Sequence, residues 1–113
     1  MSKVRKELLQ GTLDLLILKT LSTGQLHGWD ISKRIALVSK DRLNLKQGSL
    51  YPALHRLENR GWIEAEWGIS EAGRSAKFYR LTTIGRKQLQ DEAAHWQSFA
   101  DAMTSVLNME GSA

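Results

Sequence analysis

Residues 45–62, which read L-K-Q-G-S-L-Y-P-A-L-H-R-L-E-N-R-G-W, constrain the fold of this chain more than any other stretch. Apolar residues recur here at i, i+3, i+4 and i+7, the spacing of a helix that buries one stripe. These residues are Leu50, Ala53, Leu54 and Leu57. The pattern predicts a helix packed against a core, with a polar face turned away from it.

A proline near the start of this helix and a glycine at its end indicate where the helix begins and ends. Pro52 is the single proline of the chain. A proline is tolerated in the first turn of a helix, where its missing N–H would have had no partner. We therefore expect the helix to begin within residues 47–49. Gly61 is expected to end it, because glycine is the usual residue just after a helix.

The outward face of the predicted helix carries an unusual set of side chains. They are Ser49, Tyr51, Pro52, His55, Arg56 and Asn59. A face that meets only water would favour Glu, Lys and Gln, whereas a tyrosine, a histidine and an arginine lie here near a helix N-terminus that can receive a phosphate. From the helix alone, a nucleic-acid contact surface and an ordinary solvated face both stay open.

The net charge of +4 hides a strong asymmetry along the chain. Up to Gln88 there are 16 Lys and Arg against 8 Asp and Glu, a charge of +8, while the four remaining carboxylates give the tail −4. A positive front on a small protein is the electrostatic footprint expected of a polyanion binder. The alternative is an ordinary basic protein.

Length and composition limit the architecture and the compartment. With 113 residues the chain can build one core. It has no cysteine, which excludes disulfides and thiolate metal sites and agrees with a reducing cytoplasm. No run of roughly 18 apolar residues could span a membrane, and Gln10 and Asp14 interrupt any signal-peptide core. We predict a cytoplasmic protein without a membrane partner.

The sequence offers no constellation for catalysis. His27, His55 and His95 fall on three different predicted elements, and no H-x-x-x-H spacing, G-x-S-x-G elbow or phosphate-binding glycine loop occurs. We expect neither an enzyme nor a bound metal or cofactor.

Two helices are predicted before residue 45, after a frayed basic arm at residues 1–7. The first covers residues 11–23, and its apolar positions extend more than halfway round, so that a partner surface is implied: Leu13, Leu15, Leu16, Ile17, Leu18 and Leu21. The second begins at His27 and Gly28. Its buried face is predicted to hold Ile31, Ile35 and Val38, widened by Trp29 and Ala36.

The pattern changes after Gly61. Residues 62–67 and 76–81 carry aromatic and apolar residues at near-alternate positions, and residues 70–75 between them are typical of a loop, which predicts a β-hairpin. Three helices with short connections match a helix-turn-helix, and a hairpin directly after one is a wing. Arg74 would lie at its tip with Lys77 nearby, either touching DNA or keeping the loop solvated.

A last helix is predicted from Ile84 to about Met109, capped by Thr82 or Thr83. It carries a heptad seam with the spacing 4, 3, 4, 3, 4, formed by Leu89, Ala93, Trp96, Ala100, Met103 and Leu107. A helix of about 26 residues spans about 39 Å, too long for one small core to cover. We therefore predict a homodimer contact anchored by Trp96 and Phe99, followed by a frayed end at residues 111–113.

Two alternatives stay open for this seam: packing on the protein's own first helix, and a pocket for a flat apolar effector.

Four segments carry a resemblance to a known family. They are G-T-L-D-L-L-I-L-K-T-L from Gly11, L-H-G-W-D-I from Leu26, G-S-L-Y-P-A-L-H-R-L-E from Gly48 and K-F-Y-R-L-T-T-I-G from Lys77. The chain resembles the PadR family of transcriptional regulators over roughly residues 9–89, most specifically in the G-S-L-Y-P block. Trp29 stands where many members have tyrosine, and the short tail resembles the subgroup without the longer C-terminal bundle.

The resemblance implies a winged-helix repressor that binds double-stranded DNA and dimerises through its C-terminal helix. The two-fold symmetry of such a dimer then requires a near-palindromic operator. The implied fold is mainly α with a small β-hairpin: a winged helix-turn-helix DNA-binding domain at residues 1–82 and a dimerisation helix at 83–113. The recognition helix corresponds to residues 47–60 and the wing to 70–77. The candidate DNA-binding residues are Lys46, Gln47, Ser49, Tyr51, Pro52, His55, Arg56, Arg74 and Lys77. A winged helix that binds another protein is the alternative.

Overall fold

The computed structural model describes residues 3–111, with side chains described from Gly11 onward. Within that range the chain forms four helices and three strands. They are α1 Lys3–Leu21, β1 Leu26–His27, α2 Gly28–Val38, α3 Gln47–Asn59, β2 Ile63–Ile69, β3 Ser75–Leu81 and α4 Thr83–Leu107. The predicted mixture of helices with a small hairpin is what the chain adopts.

The core lies where α1, α2 and α3 meet the base of the hairpin. All four stripe residues predicted for α3 are buried in it. The buried apolar residues are Leu13, Ile17, Leu18, Leu21, Ile31, Ile35, Leu50, Ala53, Leu54, Leu57, Ile63, Tyr79 and Leu81. Because α3 is held along its whole apolar stripe, its polar face is presented on a rigid support.

Helix α1 differs from the prediction at its start and in what covers it. It begins at Lys3, so the frayed arm expected at residues 1–7 is wrong for residues 3–7, while Met1 and Ser2 lie outside the described residues. Helices α2, α3 and α4 and strand β3 all contact α1. From Gly11 onward, the chain itself therefore packs against the helix for which a partner surface was predicted.

The buried face of α2 is narrower than predicted. Ile31 and Ile35 are buried, but Trp29 and Val38 are exposed. Trp29 precedes Ile31 by two positions, which places it about 200° round the helix and thus on the far side. Val38 is on the correct side but is the last residue of α2, where the helix has passed the edge of the core.

Both ends of α3 agree with the prediction, but the position of Pro52 within the helix does not. The helix begins at Gln47 as expected, but Pro52 lies in its second turn rather than its first. The Gly48 carbonyl consequently receives no N–H from Pro52. Gly61 ends the helix as predicted: with φ of 76° it donates its N–H to Glu58, while Trp62 donates to Leu57, the bond pair of a Schellman motif.

The hairpin is part of a three-stranded antiparallel sheet in the order β1-β3-β2. Short β1, absent from the prediction, pairs Leu26 with Tyr79 and His27 with Phe78. Strand β2 pairs with β3 from Ile63 and Leu81 at the base to Ile69 and Ser75 near the tip. The base of this hairpin is in the core, and its far end extends into solvent as a wing.

Helix α4 starts beside the core and then leaves it. Thr82 caps the helix, accepting the Gly85 N–H at 2.9 Å. Leu89 packs against the core, but most residues from Ala93 to the end of the helix are exposed. The 25 residues of α4 account for much of the 65 Å long axis of the molecule. No helix in residues 3–111 combines the length and apolarity needed to cross a membrane.

Candidate nucleic-acid interface

The N-terminal turn of α3 is open on its outer side. Lys46, in an extended conformation, is the N-cap residue and provides no side-chain cap; its carbonyl accepts from Ser49 and Leu50 at 3.0 and 2.9 Å. Lys46, Gln47 and Ser49 are all exposed. The first N–H groups of a helix have no partner inside it and favour an anion, so this turn can receive a phosphate while Gln47 reaches a base edge.

Tyr51 combines exposure with a structural contact. Its side chain is 44% exposed, and its ring lies over the backbone of Gly28 at the start of α2. A Cβ atom at Gly28 would lie 2.9 Å from Cε1 of that ring. The glycine therefore allows the close approach of α2 and α3 at Tyr51. Pro52 and His55, which follow Tyr51 on α3, are both exposed.

Arg56 has a partner inside the protein. Its guanidinium forms a short ion pair with Asp14 of α1, and the two side chains are only 25% and 15% exposed. Arg60 lies 3.9 Å from the other Asp14 oxygen and stacks over Trp62 at 5.1 Å. We predicted that Arg56 points outward and contacts DNA; the structure pairs it with Asp14 of α1 instead of leaving it fully exposed, and a contact with DNA stays a prediction.

We expect Arg56→Ala to lower the free energy of unfolding by about 1–3 kcal/mol, since it leaves the carboxylate of Asp14 poorly paired in a mostly buried position. Denaturant unfolding measures the change. Arg42→Ala, which removes an exposed arginine, is the control and should stay within about 0.5 kcal/mol. Unchanged stability together with a DNA affinity that depends less on salt would instead make Arg56 a phosphate contact.

The wing tip is a tight loop with an outward arginine. Ser70 donates its N–H to the Arg74 carbonyl at 2.8 Å, and Gly73, with φ of 76°, donates to Ser70 at 2.8 Å. Glycine fits this left-handed position without strain. Arg74 is exposed and forms no ion pair with any residue of the described part of the chain. Its charge is thus available to a phosphate.

Lys77 of β3 forms an ion pair with α3. Its Nζ lies 3.2 Å from Oε1 of Glu58 and 5.7 Å from the ring centre of Tyr79. Burial raises the pKa of Tyr79, an effect that the Lys77 charge partly opposes, so the phenol stays neutral at physiological pH. Lys77 was predicted to contact DNA; the structure pairs it with Glu58 of α3, and a contact of Lys77 with DNA stays a prediction.

Sequence reasoning missed the residues that position this surface. Asp14, the ion-pair partner of Arg56, is the single charged residue in the apolar run 11–18, a signal of a buried pair. Lys40 and Arg42, in the connection between α2 and α3, are exposed and have no ion pair among residues 11–111. They add positive charge directly before the N-terminus of α3.

The seam predicted for dimerisation lies on α4. Leu89 packs against the core of its own chain, so the alternative of internal packing holds for this first position. Ala100 is half-buried, and Ala93 and the larger seam residues beyond it are exposed: Trp96, Met103 and Leu107, with Phe99 beside them. The rings of Trp96 and Phe99 are 6.0 Å apart. An apolar surface on a helix that has left its core is typical of an association site.

The chain is similar to known proteins both in sequence and in structure. Residues 17–91 match the Transcriptional regulator PadR-like family. An uncharacterised protein X from Lysinibacillus sphaericus is 31% identical over 108 residues, 96% of this chain and 97% of that protein.

Two solved structures are similar over nearly the whole chain. A transcriptional regulator from Clostridium thermocellum has a TM-score of 0.80 at 28% identity, covering 88% of this chain and 96% of its own. A PadR family transcriptional regulator from Eggerthella lenta has a TM-score of 0.78 at 28% identity, covering 95% and 91%.

Proposed function

Because the chain belongs to the PadR-like family of transcriptional regulators, we propose that it represses transcription in the cytoplasm by binding a near-palindromic operator as a homodimer. The family resemblance and the expectation that the chain is not an enzyme are confirmed by this membership. The observation that carries the proposal is the N-terminal half of α3. Its polar residues are exposed while its apolar stripe is held in the core.

The surface divides into residues that read sequence and residues that attract phosphate. A recognition helix offers its first residues to base edges in the major groove. Gln47 and Ser49 are exposed there, and a glutamine can bond bidentately to adenine. Lys46 and Arg74 are the candidates for phosphate contacts, because both are exposed and neither is paired with a carboxylate in the described residues.

Two copies joined along α4 would present two α3 helices to one duplex. Two-fold symmetry then requires half-sites whose centres are about 34–36 Å apart if both helices enter successive turns. Trp96 and Phe99 are the bulkiest exposed side chains near the α4 seam and would anchor the joint. In such a dimer, Trp96 and Phe99 would also line a pocket between the two copies that could hold a flat apolar effector.

The test is a selection of bound fragments from random duplex DNA, followed by affinity measurements on the selected site and on scrambled DNA. We expect Gln47→Ala to shrink the ratio of the two affinities by about 10-fold or more, since a bidentate base contact contributes about 1–3 kcal/mol of discrimination. Lys46→Ala, one residue away, should weaken both affinities together and lower the salt slope by about 0.9 for each phosphate that is no longer neutralised.

Binding with no sequence preference and no salt dependence would contradict the proposal and favour a winged helix that binds another protein. If Lys46→Ala abolished the ratio while Gln47→Ala left it intact, the roles of the two residues would be exchanged.

A further inference from the structure

Strand β2 is the outer strand of the sheet. In the described part of the chain, the order β1-β3-β2 leaves β2 with a neighbour on one side only. The hydrogen bond from Ser70 to Arg74 at the tip shows that the even-numbered residues of this arm turn their backbone groups towards β3. Backbone groups alternate in direction along an antiparallel strand. The N–H and C=O groups of Ala65, Trp67 and Ile69 therefore point to the free edge.

This edge lacks the usual protection against pairing with another strand. Proteins commonly block an exposed edge with lysine, proline or a β-bulge. The sequence of β2, I-E-A-E-W-G-I, contains neither lysine nor proline, and β2 pairs with β3 residue for residue without a bulge. Trp67 and Ile69 are each 71% exposed. The outer half of β2 is thus available to a further strand.

Two glutamates restrict which strand can pair with this edge. Glu64 and Glu66 are the charged residues of β2, and both lie on one face of the sheet. A second copy of β2 can pair antiparallel about a two-fold axis that crosses the strand at one residue. An axis at Glu66 would place this residue opposite its own copy, and an axis at Ala65 would place Glu64 opposite Glu66. Like charges directly opposite each other destabilise a sheet.

An axis at Trp67 avoids both conflicts. Glu66 then lies opposite Gly68 of the second copy, Ala65 lies opposite Ile69, and Trp67 lies opposite Trp67. The outward backbone groups of residues 65–69 all find partners in this register. Moving the axis closer to the tip shortens the pairing, because β2 ends at Ile69. The edge of β2 is therefore most complementary to itself when the axis crosses Trp67.

We propose that the outer edge of β2 binds the same edge of a second copy, antiparallel and centred on Trp67. On the apolar face the small Ala65 packs beside Ile69, and the two Trp67 side chains form an aromatic cross-strand pair. The short pairing covers less than the about 1,000 Å² of a stable specific interface. It is therefore an additional, weaker contact than the one along α4, and it joins copies that are already close together. The contact needs no DNA and goes beyond the proposed function.

Single cysteines can report the register, because the chain has none of its own. Full-length Trp67→Cys is treated with oxidised glutathione at high protein concentration, and covalent dimers are measured by non-reducing denaturing electrophoresis. The two thiols are directly opposite in the proposed pair, at a Cα separation of about 5.5 Å that a disulfide can span. We expect Trp67→Cys to crosslink at least about 10-fold faster than Ile69→Cys, whose two thiols would be about 13 Å apart along the strand.

Ile69→Cys is the matched control, because Ile69 has the same strand, face and exposure as Trp67. A second measurement keeps Trp67 in place: Ala65→Cys and Ile69→Cys, each slow alone, should crosslink rapidly when mixed, since these two positions are opposite each other. Equal rates for Trp67→Cys and Ile69→Cys, or a mixture no faster than its components, would overturn the inference. Rapid crosslinking of Ala65→Cys alone would also overturn it, by placing the axis at Ala65. Because no DNA is present, a failure of the proposed function leaves these rates unchanged.

Discussion

Among the glycine-to-alanine substitutions in the described part of this protein, Gly85→Ala is expected to lower the free energy of unfolding most. A Cβ atom at Gly85 would lie 1.9 Å from the carbonyl oxygen of Trp62 and 2.9 Å from Cδ1 of Leu81. The nearest atom belongs to the backbone, so no side chain can turn away to make room. Either the start of α4 or the segment between α3 and β2 must move.

The same movement would break a group of hydrogen bonds around Thr82. Its hydroxyl donates to the Gly61 carbonyl at 2.7 Å and accepts the Gly85 N–H at 2.9 Å, while its own N–H donates to Trp62 at 3.1 Å. Overpacking typically costs about 1–3 kcal/mol, and loss of a helix cap about 1 kcal/mol more. We expect a loss of about 3 kcal/mol, a large part of the about 5–15 kcal/mol that stabilises a domain.

Thermal unfolding followed by circular dichroism measures the effect. A loss of about 3 kcal/mol corresponds to a fall in Tm of roughly 12–24 °C for a domain of this size. Gly11→Ala is the matched control, because Gly11 is also helical but has nothing within 4 Å of the added atom. The control should be neutral or stabilising by up to about 1 kcal/mol. Equal melting temperatures for the two variants would show that the close packing of Gly85 against the Trp62 carbonyl does not limit the size of the residue at position 85.

The sequence was a good guide where the signal is local and periodic. The stripe on α3, the glycine that ends it, the hairpin and the start of α4 all follow from spacings within a few residues. The errors on α2 and at Pro52 show the limit of that signal. Spacing indicates which side of a helix is buried, but not how far along the helix the core extends, and Val38 lies beyond that point. Likewise, a single proline does not determine at which residue a helix begins, because α3 holds Pro52 in its second turn.

The residues that position the candidate interface were less predictable because their partners are distant in the chain. Arg56 and Asp14 are 42 residues apart, and Lys77 and Glu58 are 19 apart. A positive charge on a polar face looks the same in sequence whether it meets phosphate or a carboxylate of another helix. Gly85 is similar: the sequence shows a glycine in a helix, but only the fold brings the Trp62 carbonyl against it.

Placing glutamates at two seam positions of α4, Ala93→Glu with Ala100→Glu, is expected to convert the proposed dimer into monomers. In a coiled-coil-like contact each new carboxylate would face its copy across the interface, where unpaired charge is costly. Sedimentation at micromolar concentration should show a dimer for the wild type and a monomer for the variant. Since linked half-sites gain about 10²–10⁴ in affinity over one, binding to the full operator should fall by at least about 100-fold.

The chain supplies a matched control on the opposite side of the same helix. Ala94→Glu with Ala102→Glu adds the same two charges at exposed positions that lie about 140° to either side of the seam at 3.6 residues per turn. This variant should remain dimeric and keep its affinity for the operator, apart from a small general weakening by the added negative charge. If both variants are monomers, the added negative charge causes dissociation wherever it lies on α4. If both are dimers, the seam that includes Trp96 is not the dimer interface. The proposed contact is supported only if the seam variant dissociates and the control variant does not. This contact along α4 is the one that would bring the two α3 helices to one operator.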